Sequence, residues 1–206
     1  MRVLIAPDSF KECLNASEVG QSIRNGILAE IPDAHIDVLP MADGGEGTIE
    51  ALVHATNGRT IELKATDPFG KRVTTCYGIL GDNKTAVIET AKIAGLQIVS
   101  KRNPLSASTF GVGELINHAI DSGYRKIIIG LGGSATNDGG FGMLQALGVK
   151  FLGAEGQQIR QGRGFFSKIA SVDLSSICPS IHECEIIIAS DVENELCGPN
   201  GATYVF

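Results

Sequence analysis

Apolar and polar positions along the chain change period several times, and each change predicts an element. Val3–Ala6 is a short apolar run that stops at Pro7-Asp8, the pattern of a buried strand feeding a loop. Asn15, with Glu18 three residues on, reads as a helix cap, and Val19, Ile23, Ile27 and Ile31 then recur every four residues until Pro32. A strand around Ile36–Leu39, a loop over Met41–Gly47 and a helix from about Thr48 to Ala55, closed by Asn57-Gly58, complete a β-α-β-α opening. That order predicts a parallel sheet covered by helices.

The period then drops to two. Ile61 and Leu63 alternate with polar neighbours, and Val73, Thr75, Tyr77 and Ile79 do the same. Asp67-Pro68-Phe69-Gly70 and Gly81-Asp82-Asn83 read as turns, and Thr85–Ile88 as a third strand, so an antiparallel meander is expected. After Pro104, helices near Gly113–Asp121 and Gly140–Leu147 alternate with strands Lys126–Ile129 and Glu185–Ala189. The predicted class is α/β: a parallel Rossmann-like sheet covered by helices, with an inserted antiparallel β subdomain. Residues 1–58 and 102–206 form the core, and 59–101 supply the antiparallel β segment of a second α/β subdomain. Ala202–Phe206 reads as the start of a strand with no polar tail, so the core is expected to be incomplete at its C-terminus.

Composition narrows the function. With 43% hydrophobic and 19% charged residues, the chain can bury a core, and with aromatics at 5% and no Trp that core must rest on aliphatic side chains. A net charge of −6 opposes nucleic acid and anionic membranes, so an anionic substrate needs local donors or a metal. No apolar run reaches a membrane span, and Met1–Ala6 is too short for a signal-peptide core. Five cysteines without a C-x-x-C pair suit free thiols in a reducing cytoplasm. The four histidines show no ligand spacing.

Gly makes up 26 of the 206 residues, nearly twice the usual share of roughly 7%, and is clustered in loops. The polar residues of interest follow apolar strands: Asp8 and Lys11, Asp43 and Glu46, Glu89, the loop Gly130–Gly140, and Asp191 with Asn194. In a parallel sheet these ends share one rim, where ligands bind. The loop's glycines let amides curl around an anion, and Ser134, Thr136 and Asn137 add neutral hydrogen bonds. Its first six residues also fit a dinucleotide G-x-G-x-x-A pattern, which keeps an NAD(P)-dependent oxidoreductase as an alternative, although Asn137–Gly140 would interrupt the required helix. No Walker loop occurs. Asp43 could instead be a helix cap, Asp8 and Lys11 a surface ion pair, and Glu89 an exposed strand end.

Several stretches together resemble the bacterial glycerate kinase family: Ala6–Lys11, Pro40–Gly47, Asn103-Pro104-Leu105, Gly111–Glu114, Gly132–Gly140, and Asp191 with Asn194. Ala107 departs from the family pattern, which has a hydroxyl residue there, and the family's chains run well past Phe206. The resemblance implies a cytoplasmic ATP:glycerate phosphotransferase of two α/β domains, of which this chain holds part, with D-glycerate and ATP as substrates and 2-phosphoglycerate the favoured product. In that reading Asp191 is the base near the substrate hydroxyl, and Lys11 meets the carboxylate or the transferring phosphate. Asp8 or Asp43 holds Mg²⁺ through water. Gly132, Gly133, Ser134, Thr136, Asn137 and Asp138, with Asp43, Glu46 and Asn194, bind substrate or phosphate. Self-association or a complementing chain is expected, with turnover by these residues alone near background. The further alternative is a non-catalytic nucleotide- or carboxylate-binding fragment.

Overall fold

The structure, a computed structural model, describes residues 1–10 and 13–205. Strand β1 (Arg2–Ile5) and strand β2 (His35–Val38) pair in parallel, Arg2 opposite His35 and Ile5 opposite Val38. Helix α1 (Ala16–Glu30) makes the crossover. The expected capping box is formed: Asn15 Oδ1 accepts from the Glu18 amide at 2.9 Å, and Glu18 Oε2 accepts from the Asn15 amide at 2.9 Å. Val19 and Gly20 are buried against the pair, but Ile23 and Ile31 are 42% and 41% exposed. A two-stranded sheet is too narrow to cover a helix of four turns, so the later part of the apolar stripe faces outward.

Helix α2 (Thr48–Thr56) ends at Asn57, which adopts a left-handed conformation, and leads into a second sheet. Its strands are β3 (Arg59–Thr66), β4 (Arg72–Ile79), β5 (Thr85–Glu89), β6 (Lys126–Gly130) and, after two short strands named below, β9 (Glu185–Ala189). They lie in the order β3-β4-β5-β6-β9. β3, β4 and β5 form the predicted meander, tightened by Asp67, whose Oδ1 takes the Phe69 and Lys71 amides, and by Asp82, whose carboxylate takes those of Lys84 and Thr85. β5 then pairs in parallel with β6 from Thr85↔Lys126 to Glu89↔Gly130, and β6 with β9 from Lys126↔Glu185 to Gly130↔Ala189. The meander is therefore hydrogen-bonded to the parallel strands in one sheet, while β1 and β2 form their own. β5 is central, buried at every position, which explains why its apolar run has no polar alternation.

The single turn α3 (Ala91–Ala94) follows β5, and helix α4 (Phe110–Asp121) crosses to β6. α4 buries Val112, Leu115, Ile116, Ala119 and Ile120 against Tyr77, Ile79, Ile88, Ile127 and Ile129 of the sheet. Each such side chain taken fully from water stabilises the fold by about 1.5–3 kcal/mol. Helix α5 (Phe141–Ala146) packs on α4, so closely that a Cβ at Gly113 would lie 2.7 Å from Ala146 Cβ. The apolar pattern assigns no element to 150–184. That segment holds β7 (Lys150–Leu152) and β8 (Ser171–Asp173), paired antiparallel, and 3₁₀ turns at Arg163–Lys168 and Pro179–Glu183.

The expected terminal strand is corrected. Ala202–Val205 is a helical turn, α6, set by Ala202 N–H to the Glu195 carbonyl and Tyr204 N–H to the Gly201 carbonyl. The hydrogen-bonding partners are local, so the apolar run closes a turn instead of joining a sheet. Phe206 lies outside the described residues. Among the described residues no helix is long and apolar enough to cross a membrane.

Candidate active site

Loops that leave β2, β5, β6 and β9 interlock at one end of the sheets. The Gly132 amide donates to the Gly44 carbonyl at 3.1 Å, the Leu131 amide to Ala189 at 3.2 Å, and the Thr90 amide to Gly130 at 2.9 Å. The approach is close enough to require glycine. A Cβ at Gly44, whose φ is +93°, would lie 2.5 Å from the Ala189 carbonyl oxygen, and one at Gly132 would lie 2.5 Å from Gly45 Cα. The loop after β1 joins through the Met41 amide, which donates to the Pro7 carbonyl at 2.8 Å. A cavity of about 600 Å³ opens beside this junction, lined by Ser9, Phe10, Asn15, Glu46, Glu50 and Lys92 among others.

Asp8 and Asp43 are exposed, and each uses one oxygen locally. Asp8 Oδ1 takes the Ser9 amide at 2.6 Å, and Asp43 Oδ1 takes the Gly45 amide at 2.9 Å, closing its own loop. Lys11 lies outside the described residues, although Phe10 and Cys13 on either side of it line the cavity. Glu46 is exposed and receives a hydrogen bond from the Gln97 amide nitrogen, Nε2. Among the described residues no group of three or more His, Cys, Asp or Glu side chains is placed to hold a metal ion. Single carboxylates such as Asp8 and Asp43 fit Mg²⁺ only in the way it commonly binds, with water and phosphate completing its shell.

The glycine loop is tied into the protein at several points. Leu96 N–H reaches the Gly133 carbonyl and Ala135 N–H the Ala94 carbonyl, at 2.9 and 2.8 Å. Ser134 Oγ lies 2.8 Å from Thr136 Oγ1 and accepts from the Thr136 amide at 3.2 Å. The amides of Gly132, Ala135 and Thr136 are thus engaged internally, so a bound anion would use others. No helix begins inside the G-x-G-x-x-A stretch, since α5 starts at Phe141. A dinucleotide-type helix start is therefore absent from this loop.

Asp138 is 2% exposed, and its carboxylate takes the Thr109 amide (2.9 Å) and hydroxyl, and the Gly140 and Gly142 amides at 3.2 and 3.1 Å. The sequence placed Asp138 among ligand-binding residues. Its oxygens instead join the starts of α4 and α5, and it holds the loop's end in place. Asn137 is also buried, and its Oδ1 accepts from Thr203 Oγ1 at 3.1 Å. Asp191 and Asn194 lie exposed on the segment after β9. That segment returns over the glycine loop: Leu196 Cδ2 would be 3.5 Å from a Cβ at Gly139, and the Thr203 amide donates to the Leu196 carbonyl.

Two charged residues carry more than the sequence disclosed. Glu89 has no exposed surface; its Oε1 accepts from the Gly47 amide at 3.3 Å and its Oε2 from the Ile49 amide at 3.1 Å. Burial pushes its carboxyl up to about 7, against the Ile49 amide and Lys92, which favour the anion. A lone acid closing an apolar strand was visible in sequence, but its burial follows from α2 packing over the strand end. Lys92, half-buried in the cavity wall, pairs with Glu50 Oε1 at 2.6 Å. Burial disfavours its ammonium, but the Glu50 contact and the nearby Glu89 outweigh that and hold its pKa above the ordinary lysine value. All five cysteines are free thiols.

Residues 3–206 match the model of the glycerate kinase family. A glycerate kinase of Bacillus subtilis (strain 168) is 50% identical over 208 residues, covering 100% of this chain and 54% of its own. A glycerate 2-kinase of Escherichia coli (strain K12) is 49% identical, with 100% and 55% covered. The crystal structure of a Salmonella typhimurium LT2 protein described as glycerate kinase 2 superposes with a TM-score of 0.87 at 48% identity, over 100% of this chain and 56% of that one. The chain spans about half the length of the curated relatives it matches.

Proposed function

The chain belongs to the glycerate kinase family, and from that membership we propose that it carries the catalytic rim of an enzyme that transfers the γ-phosphoryl group of ATP to the 2-hydroxyl of D-glycerate. The observation that carries this is the interlocking of the loops after β2, β5, β6 and β9, which brings separate strand ends together at one rim, beside a cavity lined by the segments after β1, β2 and β5. Phosphoryl transfer asks a protein mainly for positioning and charge neutralisation, together with a group that accepts the hydroxyl proton.

Asp191 is the base in this account. Being exposed, its carboxylate is open to a substrate hydroxyl at the end of β9. Lys11, between cavity residues Phe10 and Cys13, meets the substrate carboxylate or the transferring phosphate. Gly133, Ser134, Asn137 and the Thr136 hydroxyl cradle an anion, Gly132 holds the loop against Gly44, Asp138 fixes the loop's end, and Asp43, Glu46 and Asn194 border the substrate. Asp8 or Asp43 would hold Mg²⁺ through water, and the ion would supply positive charge beside the phosphates. An ATP-consuming enzyme of this kind works in the cytoplasm.

The same reading gives the chain a partner. Among the described residues β9 pairs on one side only, and Ile186, Ile187 and Ile188 are 41%, 36% and 52% exposed, whereas parallel strands ordinarily have both faces covered. Further polypeptide, of the kind the longer relatives carry, covers that strand in the active enzyme; otherwise the chain self-associates there. Without such cover the chain acts as a ligand-binding fragment with turnover near background.

The test is to fuse residues 1–206 to the part of the B. subtilis relative beyond its matched region and follow the reaction by ³¹P NMR. D-glycerate and MgATP should give ADP and 2-phosphoglycerate. Formation of 3-phosphoglycerate would move the reacting hydroxyl, and free phosphate as the sole product would refute the kinase reading.

A further inference from the structure

Helix α2 starts without a cap of its own. Its N-cap residue is Gly47, which has no side chain to offer, and no side-chain cap bond is made by that residue. An α-helix leaves its first amides without partners, and these ordinarily go to a Ser, Thr, Asp or Asn at the N-cap. Here the acceptors come from 40 and 42 residues away in sequence: Glu89 Oε2 takes the amide of Ile49, and Oε1 that of Gly47. A carboxylate is a strong acceptor at that position, because the helix dipole adds positive potential there.

The location gives the cap a second consequence. Glu89 closes the central strand β5, and the next residue, Thr90, ties that strand end to the Gly130 carbonyl. Gly47 closes the Asp43–Gly47 loop, whose Gly44 receives the Gly132 amide and packs on Ala189. One buried side chain therefore fixes the end of the loop that meets both the β6 and β9 ends. A carboxylate with no exposed surface costs several kcal/mol unless it is hydrogen-bonded, and its two backbone bonds offset part of that cost.

We infer that Glu89 is a positioning residue that sets the Asp43–Gly47 loop by capping α2 from the neighbouring strand, and through that loop the substrate site. The second half of this inference rests on the proposed function; the first half rests on geometry alone. The nearby Lys92–Glu50 pair lies in the cavity wall and makes no bond to the α2 amides that Glu89 holds.

The test compares the wild-type chain with Glu89→Gln and Glu89→Asp, reading amide hydrogen exchange by NMR and D-glycerate binding by titration. In Glu89→Gln the side-chain amide points a donor at one of two backbone donors. Exchange at Gly47 and Ile49 should rise at least tenfold, with Ile128 in β6 unchanged, and D-glycerate affinity should fall about tenfold. Glu89→Asp keeps the charge on a shorter arm and should lie between the two. Unchanged exchange at Gly47 and Ile49 would overturn the inference. So would an equal rise at Ile128, which marks general destabilisation, or local loosening with glycerate affinity intact. A wild-type chain that binds no D-glycerate would count against the proposed function, and the exchange pattern would still decide whether Glu89 caps the loop.

Discussion

A buried carboxylate can belong to a ligand site or to the scaffold that shapes it, and hydrogen-bond partners separate the two. Asp138 receives protein donors from two segments and Glu89 receives two amides from the start of α2, whereas Asp191 is exposed on its loop. Asp138→Asn puts a donor against backbone donors inside the protein, leaving at least one group unpaired. It should lower stability by about 2–4 kcal/mol, measured by urea unfolding, because bonds to a charged acceptor and a buried unsatisfied group each carry a cost of that order. A loss below about 0.5 kcal/mol would mean that the Thr109, Gly140 and Gly142 contacts contribute little. Glu89 makes a separate prediction about pH. Its folded pKa of about 7 lies above the ordinary glutamate value of 4.5, so between the two the folded state keeps a proton that the unfolded chain has already lost. That contribution is complete below pH 4.5 and disappears as pH rises through about 7, a change of up to about 3 kcal/mol in the unfolding free energy. Glu89→Gln should flatten that part of the profile. An unchanged profile would assign the dependence to other groups.

At the scale of elements, what was legible in sequence was set by local chemistry. The Asn15–Glu18 box, the Asp67 and Asp82 turns and the Lys126–Ile129 run each specify their element within a few residues, and each is found as read. Pairing across long separations was not legible. Thr85–Ile88 reads as the third strand of a meander, and its further parallel pairing with β6, from Thr85↔Lys126 to Glu89↔Gly130, had no local signal. Asp138 looked like a ligand because it sits among glycines, and only the contact with Thr109, 29 residues away, shows it to be an anchor. Ala202–Val205 misled because an apolar run of four or five residues fits a strand or one turn of helix equally well. β9 carries the prediction at this scale. Its three isoleucines lie on both faces of a strand whose second edge is unpaired among the described residues, a surface that invites another chain. The chain should show a concentration-dependent mass in light scattering, and Ile186→Lys with Ile188→Lys should reduce it. A wild-type chain that is monomeric at every concentration would show that the exposed strand does not associate.

For the whole molecule, the net charge of −6 leaves binding of an anionic substrate to local groups. In the proposed reading the rim offers loop amides and Lys92, and Asp191 is the candidate base. Because the chain spans about half the length of its relatives, catalysis is expected only when further polypeptide completes the molecule. The most direct measurement is coupled ADP release by the fusion described above, with and without D-glycerate, beside its Asp191→Asn variant. The account predicts release that requires D-glycerate and falls by about 10²–10⁴ in kcat in the variant, with unfolding free energy preserved. Equal ADP release with and without D-glycerate, or an Asp191→Asn variant within a few-fold of wild type, would contradict it.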